Sequence, residues 1–259
     1  MSAQKEEVPH SRENAVNFFL SYINHNKAFL WGKKVYDISS GSGYIAQKFS
    51  DAGAEVKLFD LFPEQNTLSK LPCERIDLQQ SFPIADATAD VVICGETIEH
   101  LPNQYFFFKE VARITKQGGI FILTTPNPSS LRSRLSQFLM ESEHYAHHAP
   151  NEIDAFTSWG DGKDGYFSKL FISGVLRLRT LAALQKLSIK KIHHSPKSST
   201  AVLLLIIFYP FIYFFSRKNL RKQLRNDSAN AAVYKEIAEI NTSMNILLGK
   251  HLILEFIKK

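Results

Sequence analysis

Residues 34–60 constrain this chain more tightly than any other stretch. Lys34-Val35-Tyr36-Asp37-Ile38 is a short extended apolar run, and it ends in the small-residue loop Ser39-Ser40-Gly41-Ser42-Gly43. A helical pattern follows from Tyr44 to Ala52, with Gly53 placed to cap it. Ala54 to Phe59 is strand-like again and stops at Asp60. Strand, glycine loop, helix, strand and acid in that order predict a βαβ unit. Glycines in such a loop let the backbone pass close to a ligand, and helix-terminal N–H groups can hold a carboxylate or phosphate. A carboxylate at the tip of the second strand would reach the two hydroxyls of a ribose.

The alternation continues. Glu74–Leu78 is a weak strand candidate, and Ala89–Cys94 is a strong one because continuous β-branched runs suit a parallel sheet covered on both faces. Gln104–Lys116 reads as a helix closed by Gly118-Gly119, and Ile120–Thr125 as the next strand, broken by Pro126. An opening helix is expected from Ser11 to Asn24, and further helices over 129–140 and 172–187. Ser188–His194 and the last nine residues read as strands. The fold class predicted is α/β, a doubly wound, Rossmann-like sheet. Its expected parts are an N-terminal helix (1–30), a core domain (31–195 plus 250–259) with a lid or loop at 141–170, and an insertion at 196–249. Two cysteines, Cys73 and Cys94, support neither a disulfide framework nor a zinc cluster and fit a reducing compartment. The first fourteen residues have no apolar core, so a signal peptide is not expected.

The sequence resembles the class I S-adenosylmethionine-dependent methyltransferases. The resemblance is carried by Asp37–Gly43, then Asp60, then Asp77-Leu78, then Asp90-Val91-Val92-Ile93-Cys94-Gly95-Glu96-Thr97-Ile98-Glu99-His100-Leu101, and finally Gly118–Asn127. Five motifs in order cover residues 30–130 closely and the final strand more loosely. The resemblance implies a seven-stranded methyltransferase sheet with S-adenosyl-L-methionine as cofactor. By it, Gly41 and Gly43 pack against the methionine part, with Asp37 ordering the loop. Asp60 holds the ribose, Asp77 approaches the adenine amine, and Gly95 and Glu96 lie beside the sulfonium. Ser39 stands where the family usually has glycine; its hydroxyl could make a substitute hydrogen bond, or its Cβ could crowd the cofactor. The runs Asp77–Pro83, Glu96–Leu101 and Thr124–Arg134 look like a bacterial subgroup often associated with polysaccharide and glycolipid biosynthesis.

Methyl transfer to oxygen needs a positioned acceptor and a base for its proton. Glu99-His100, just after the strand that would face the cofactor, supplies the candidates, with His100 the base expected. Arg132 and Arg134 follow the fifth strand where substrate would enter, and arginine forks suit phosphate or carboxylate. His144, His147 and His148 fall on the lid and are further candidates for substrate contact; no metal is expected.

Between Gly165 and Asn226 lie twelve Lys and Arg and no Asp or Glu, so the rest of the chain is acidic on balance. A uniformly basic nucleic-acid binder is disfavoured by that split. The basic region contains Ala201–Phe215, fifteen residues without a charge, around Pro210. A helix of that length spans about 22 Å, short of the ~30 Å hydrocarbon core. Strands on either side would return both ends to one sheet, which a single crossing cannot do. A monotopic segment bending at Pro210 is expected. Phe208, Tyr209, Phe211, Tyr213, Phe214 and Phe215 would lie at the interface, with Arg217, Lys218, Arg221 and Lys222 at anionic headgroups. The expected partners are an anionic membrane surface on the cytoplasmic face and a lipid-linked or lipophilic acceptor. A glycolipid or polysaccharide intermediate is favoured over a lipophilic small molecule such as a quinone precursor, and over an inactive membrane interaction protein.

Overall fold

Strands made of unbroken β-branched runs need apolar cover on both faces, and here two sets of helices provide it. The computed structural model describes residues 13–143, 148–159 and 164–259. β1 (Lys34–Asp37), β2 (Glu55–Asp60), β3 (Cys73–Arg75), β4 (Ala89–Gly95), β5 (Thr115–Pro126), β8 (Leu187–Ile192) and β9 (His251–Lys258) form one seven-stranded sheet. Its order is β3-β2-β1-β4-β5-β9-β8, with β9 antiparallel to both its neighbours. Alternate residues of each strand face opposite ways. Val91, Ile93, Ile120 and Ile122 pack under α1 (Glu13–His25), α2 (Lys27–Leu30) and α3 (Tyr44–Asp51), through Phe19, Ile23, Leu30 and Phe49. Val92, Cys94, Phe121 and Leu123 pack on the other face against α4 (Gln104–Ile114) and α6 (Val175–Leu184), through Phe107, Phe108 and Leu178.

Most boundaries shift by a few residues, and the largest difference from the sequence reading falls between α4 and β5. α4 ends at Ile114, where Thr115 Oγ1 donates to the Val111 carbonyl, and β5 already includes Gly118-Gly119. The register slips between the pairs Ala89–Thr115 and Val91–Ile120, so the glycine pair is a bulge inside a strand and not a helix stop. The stretch expected as loop or lid carries a second, two-stranded sheet, β6 (Phe156–Trp159) antiparallel to β7 (Asp164–Phe167).

The insertion is made of helices joined by short turns, and a bridge between Lys197 and Gly249 ties its two ends together. α5 (Leu131–Met140) precedes it in the chain, and α7 (Ser199–Asn226), α8 (Ala231–Thr242) and α9 (Met244–Leu248) build it. α7 runs 28 residues, about 42 Å at 1.5 Å per residue. The expected bend at Pro210 does not break it: the helix continues through the proline. Its inner side, Ala201, Leu204, Leu205, Tyr209 and Ile212, packs with Leu131, Leu247 and Leu248. Tyr209 therefore faces protein, whereas Phe208, Phe211, Tyr213, Phe214 and Phe215 are exposed as expected, with Arg217, Lys218, Arg221 and Lys222 exposed beyond them.

Candidate active site

The sheet order reverses at β1, whose neighbours β2 and β4 lead the chain in opposite directions, and open α/β sheets form their ligand crevice beyond strand ends at such a point. Two lobes open there. One, of about 390 Å³, is lined by Phe19, Asp37, Ser39, Ser40, Ser42 and Glu96 among others. The other, of about 120 Å³, collects Gly41, Asp60, Asp77, His100 and Tyr166. Ser39, Gly95 and Glu96 line both and mark where the lobes meet.

The glycine loop is shaped by its neighbours. Gly43 caps α3 in the left-handed region, φ 77°, and a Cβ there would collide with the Asn66 side chain. Gly41 is also left-handed, and its N–H donates to Asp60 Oδ2 at 2.8 Å, while Phe62 N–H donates to Oδ1 at 3.0 Å. Asp60 is thus aimed by two backbone donors at the cavity it lines. Asp77 is fixed similarly by Gln79 N–H and Gln80 Nε2. Ser39 answers the question that its substitution for glycine raises. Its hydroxyl accepts from Gly95 N–H at 3.0 Å and donates to Cys94 Sγ at 3.6 Å, tying the end of β1 to the end of β4. Gly95 has the opposite character: a Cβ there would make only ordinary contacts, 3.6 Å from the Phe19 ring and from Thr124 Oγ1, so the protein itself does not demand glycine beside the space where the lobes meet.

Charge is concentrated beside that space. Asp37 is buried, and desolvation raises its carboxyl to about 7, against the Ser39 N–H that lowers it and with the Asp60 charge that raises it further. Glu96 occupies the left-handed region, φ 51°, with only 5% of its surface exposed. Non-glycine residues held there store about 1–3 kcal/mol and cluster at functional sites. Burial pushes the Glu96 carboxyl up, but the His251 ring hydrogen-bonded to Oε1 at 3.2 Å and the Lys169 ammonium outweigh it, so Glu96 stays below the usual range. Glu99 is fully buried and raised to about 7, by desolvation and then by the Glu96 charge. Its Oε2 accepts from Thr125 Oγ1, and Lys169 Nζ stands 3.7 Å from Oε1. Glu99 is fully buried and lines neither lobe, which corrects its placing among groups that meet substrate: it sits behind the wall, beside Lys169 and Glu96.

His100 does line the cavity. Its Nδ1 donates to the Phe167 carbonyl at 2.6 Å, and its ring meets Tyr166 edge-on at 5.1 Å. Tyr166 and Phe167 belong to β7, and Tyr166 brings the small sheet against the smaller lobe. Arg132 and Arg134 part company. Arg132 lines a pocket with Asn127, Lys250 and His251, whereas Arg134 lines an apolar groove of about 610 Å³ between α5 and α7. His148 is exposed, and His144 and His147 lie outside the described residues. His251, Lys169 and Tyr166 were missed from sequence. Each reaches the site from far along the chain, His251 from 155 residues beyond Glu96.

Residues 36–123 match the family model described as a methyltransferase domain. A ubiquinone biosynthesis O-methyltransferase of Aliivibrio fischeri is 27% identical over 190 residues, 70% of this chain and 76% of that protein. A protein of the same name from Pectobacterium atrosepticum is 32% identical over 117 residues, 42% of this chain and 48% of its own length. The fold is shared with an S-adenosylmethionine-dependent methyltransferase from Archaeoglobus fulgidus, with a TM-score of 0.54, 15% identity, and 96% and 97% of the two chains covered. It is shared also with the magnesium protoporphyrin IX methyltransferase of Synechocystis, solved with S-adenosylhomocysteine bound: TM-score 0.53, 14% identity, 98% and 90% covered.

Proposed function

Since the chain is a class I S-adenosylmethionine-dependent methyltransferase, we propose that it methylates an oxygen of a lipophilic acceptor, of the quinone-precursor kind, taken from an anionic membrane surface. The cofactor supplies an electrophilic methyl group on sulfur. Asp60 and Asp77 would hold its nucleoside, Gly41 and the α3 N-terminus its amino-acid end, and the space beside Gly95 and Glu96 would take the sulfonium. The aim of Asp60 by two backbone donors, in a lobe that also holds Asp77, is the observation that carries the cofactor assignment.

The acceptor class rests on two supports. Relatives covering up to three-quarters of their length are named for ubiquinone biosynthesis, which favours the small lipophilic acceptor over the glycolipid. The second is α7. At 100° per residue, Leu203, Ile206, Ile207, Phe211 and Phe214 share one outward face with Lys218, Arg221 and Arg225. Ile206 is 75% exposed and Phe138, at the rim of the α5–α7 groove, 84%. Monomeric soluble surfaces rarely carry so continuous an apolar patch, and basic residues next to it suit anionic headgroups at about 1 kcal/mol each. α7 is long and apolar enough to cross a bilayer by length and composition. Yet Ser216 Oγ donates to the Ala238 carbonyl of α8, and the inner side packs on α5 and α9. A helix sheathed by protein along one side fits lying in the interface rather than spanning it.

Titration calorimetry with S-adenosylhomocysteine, followed by methyl transfer to long-chain alkylphenols in anionic vesicles, tests both halves. Micromolar binding with transfer to oxygen supports the reading. Binding without transfer to any phenol in the series refutes the acceptor class, and no binding refutes the enzyme.

A further inference from the structure

The groove of about 610 Å³ between α5, α7 and the end of α8 shares no lining residue with either lobe of the cofactor crevice. Its size is that of a small-molecule site, ~300–1,000 Å³. Leu135 and Phe138 of α5 form one wall, and Phe208, Phe211 and Phe215 of α7 the other. The three α7 rings recur at the spacing that puts them on one side of a helix, and with Phe138 all four aromatic rings are exposed. Phe211 belongs also to the outward face of α7, so the groove opens onto that face. Inside it the guanidinium of Arg134 has no hydrogen-bond or ion-pair partner among the described residues, and the groove lining includes no Asp or Glu. Arg113 and Arg179, by contrast, each meet a glutamate. Burial alone pulls the Arg134 guanidinium below its usual range, with no neighbouring charge to offset it. A charge partly withdrawn from water without a partner destabilises the fold until an anion completes it.

We propose that this groove binds one anionic phospholipid drawn from the bilayer, an acyl chain lying between the aromatic walls and the phosphodiester on Arg134. The site goes beyond adsorption of α7 to a charged surface, and it rests on the membrane reading only for where the lipid comes from. A guanidinium fork matches the paired oxygens of a phosphodiester, and Asn219 and Asn241 in the same groove carry amide donors for further headgroup oxygens. α7 continues past the groove with Arg217, Lys218, Arg221 and Lys222, all exposed, which favours anionic headgroups at its mouth over zwitterionic ones. A second copy of the chain fits less well. Symmetric pairing sets the same patch against itself, which brings a second unpartnered arginine and another basic helix end but no acid. A neutral lipophile would fill the walls and leave the guanidinium as it is. Adsorption of the outward face alone would do neither.

A lipid dissolved as monomers separates this site from adsorption to a bilayer. Calorimetric titration with dihexanoyl phosphatidylglycerol, below its micellar concentration, should saturate at one lipid per protein. Dihexanoyl phosphatidylcholine should bind at least about tenfold more weakly. Arg134→Gln gives up no contact within the protein and should lower the phosphatidylglycerol affinity about tenfold or more, as expected for losing a charge-assisted hydrogen bond. Its phosphatidylcholine affinity should barely change. Leu135→Trp puts an indole into the groove and should weaken both lipids. Both variants should keep the wild-type affinity for S-adenosylhomocysteine, which shows that the crevice is intact. Absence of saturation, equal affinity for the two headgroups, or Arg134→Gln binding phosphatidylglycerol as wild type does overturns the site. A wild-type dimer that Leu135→Trp splits gives the groove to a second copy and overturns it too. Sedimentation with anionic vesicles but no one-to-one uptake of monomeric lipid refutes the groove and spares the membrane reading. One-to-one uptake without sedimentation refutes the membrane reading and leaves the groove standing.

Discussion

Asp37 makes cofactor binding depend on pH in a direction that can be worked out. Burial raises its carboxyl to about 7, so in the empty protein near neutrality roughly half of it is protonated. It lines the larger lobe, where a ligand carrying an ammonium group would lie. A cation favours the ionised form, so binding must expel the proton. Going from about pH 6 to about pH 8, the ionised fraction rises from roughly a tenth to nine-tenths, a tenfold gain in apparent affinity or about 1.4 kcal/mol. The ligand's own α-amino group begins to titrate in the same range, so the comparison is with Asp37→Asn. That carboxamide keeps an acceptor for the Ser39 N–H but does not titrate. Calorimetric titration with S-adenosylhomocysteine should show the wild-type affinity, divided by that of Asp37→Asn, rising about tenfold over that range. At neutrality, buffers of different ionisation enthalpy should show the wild type releasing about half a proton more than Asp37→Asn does on binding. Identical pH dependence in the two proteins would refute the reasoning.

Three other outcomes follow from the geometry. Asp60→Ala leaves the Gly41 and Phe62 N–H groups without their acceptor. It should weaken S-adenosylhomocysteine binding at least tenfold in the same titration, as expected for losing charged hydrogen bonds of about 1.5–3 kcal/mol. Glu99 has a raised carboxyl, so its burial costs nothing below the unfolded value near 4.3 and destabilises increasingly as pH climbs through about 7. Glu99→Gln should therefore gain melting temperature over wild type as pH goes from acid to about 8 in scanning calorimetry, and a constant difference would contradict it. Ile206→Asp combined with Phe214→Asp puts two charges on the outward face of α7, where both side chains are exposed and the ring contact given up is that of Phe214 with the neighbouring Phe215. Co-sedimentation with anionic vesicles should fall several-fold with the melting temperature nearly unchanged, and undiminished sedimentation would exclude that face as the contact.

What the sequence disclosed was local. The β1 loop, α3, β2 and Asp60 occupy 27 consecutive residues, and their order alone implied a crevice at the head of β1. The helical insertion was legible as composition, because its apolar and basic residues are neighbours in sequence. The contacts that gather charge around Glu96 are not of that kind. His251 meets Glu96 only because β9 enters antiparallel beside β5 and pairs its first residue with Pro126. Lys169 reaches Glu96 and Glu99 through a loop with no periodicity to read. Tyr209 was assigned to the interface by residue type, and only the packing of α7 on Leu131 and Leu247 shows which way it turns. The α4 boundary failed for a related reason, since a glycine pair signals either a helix stop or a bulge and the register with β4 decides.

The left-handed backbone at Glu96 sets strain against charge pairing at one position. Glycine would relieve the conformation and asparagine would tolerate it, but either would remove the carboxylate on which the His251 ring and the Lys169 ammonium converge, contacts that outweigh its burial. A laboratory lineage selected for heat tolerance alone should therefore gain little at Glu96 and find its improvements elsewhere in the sheet.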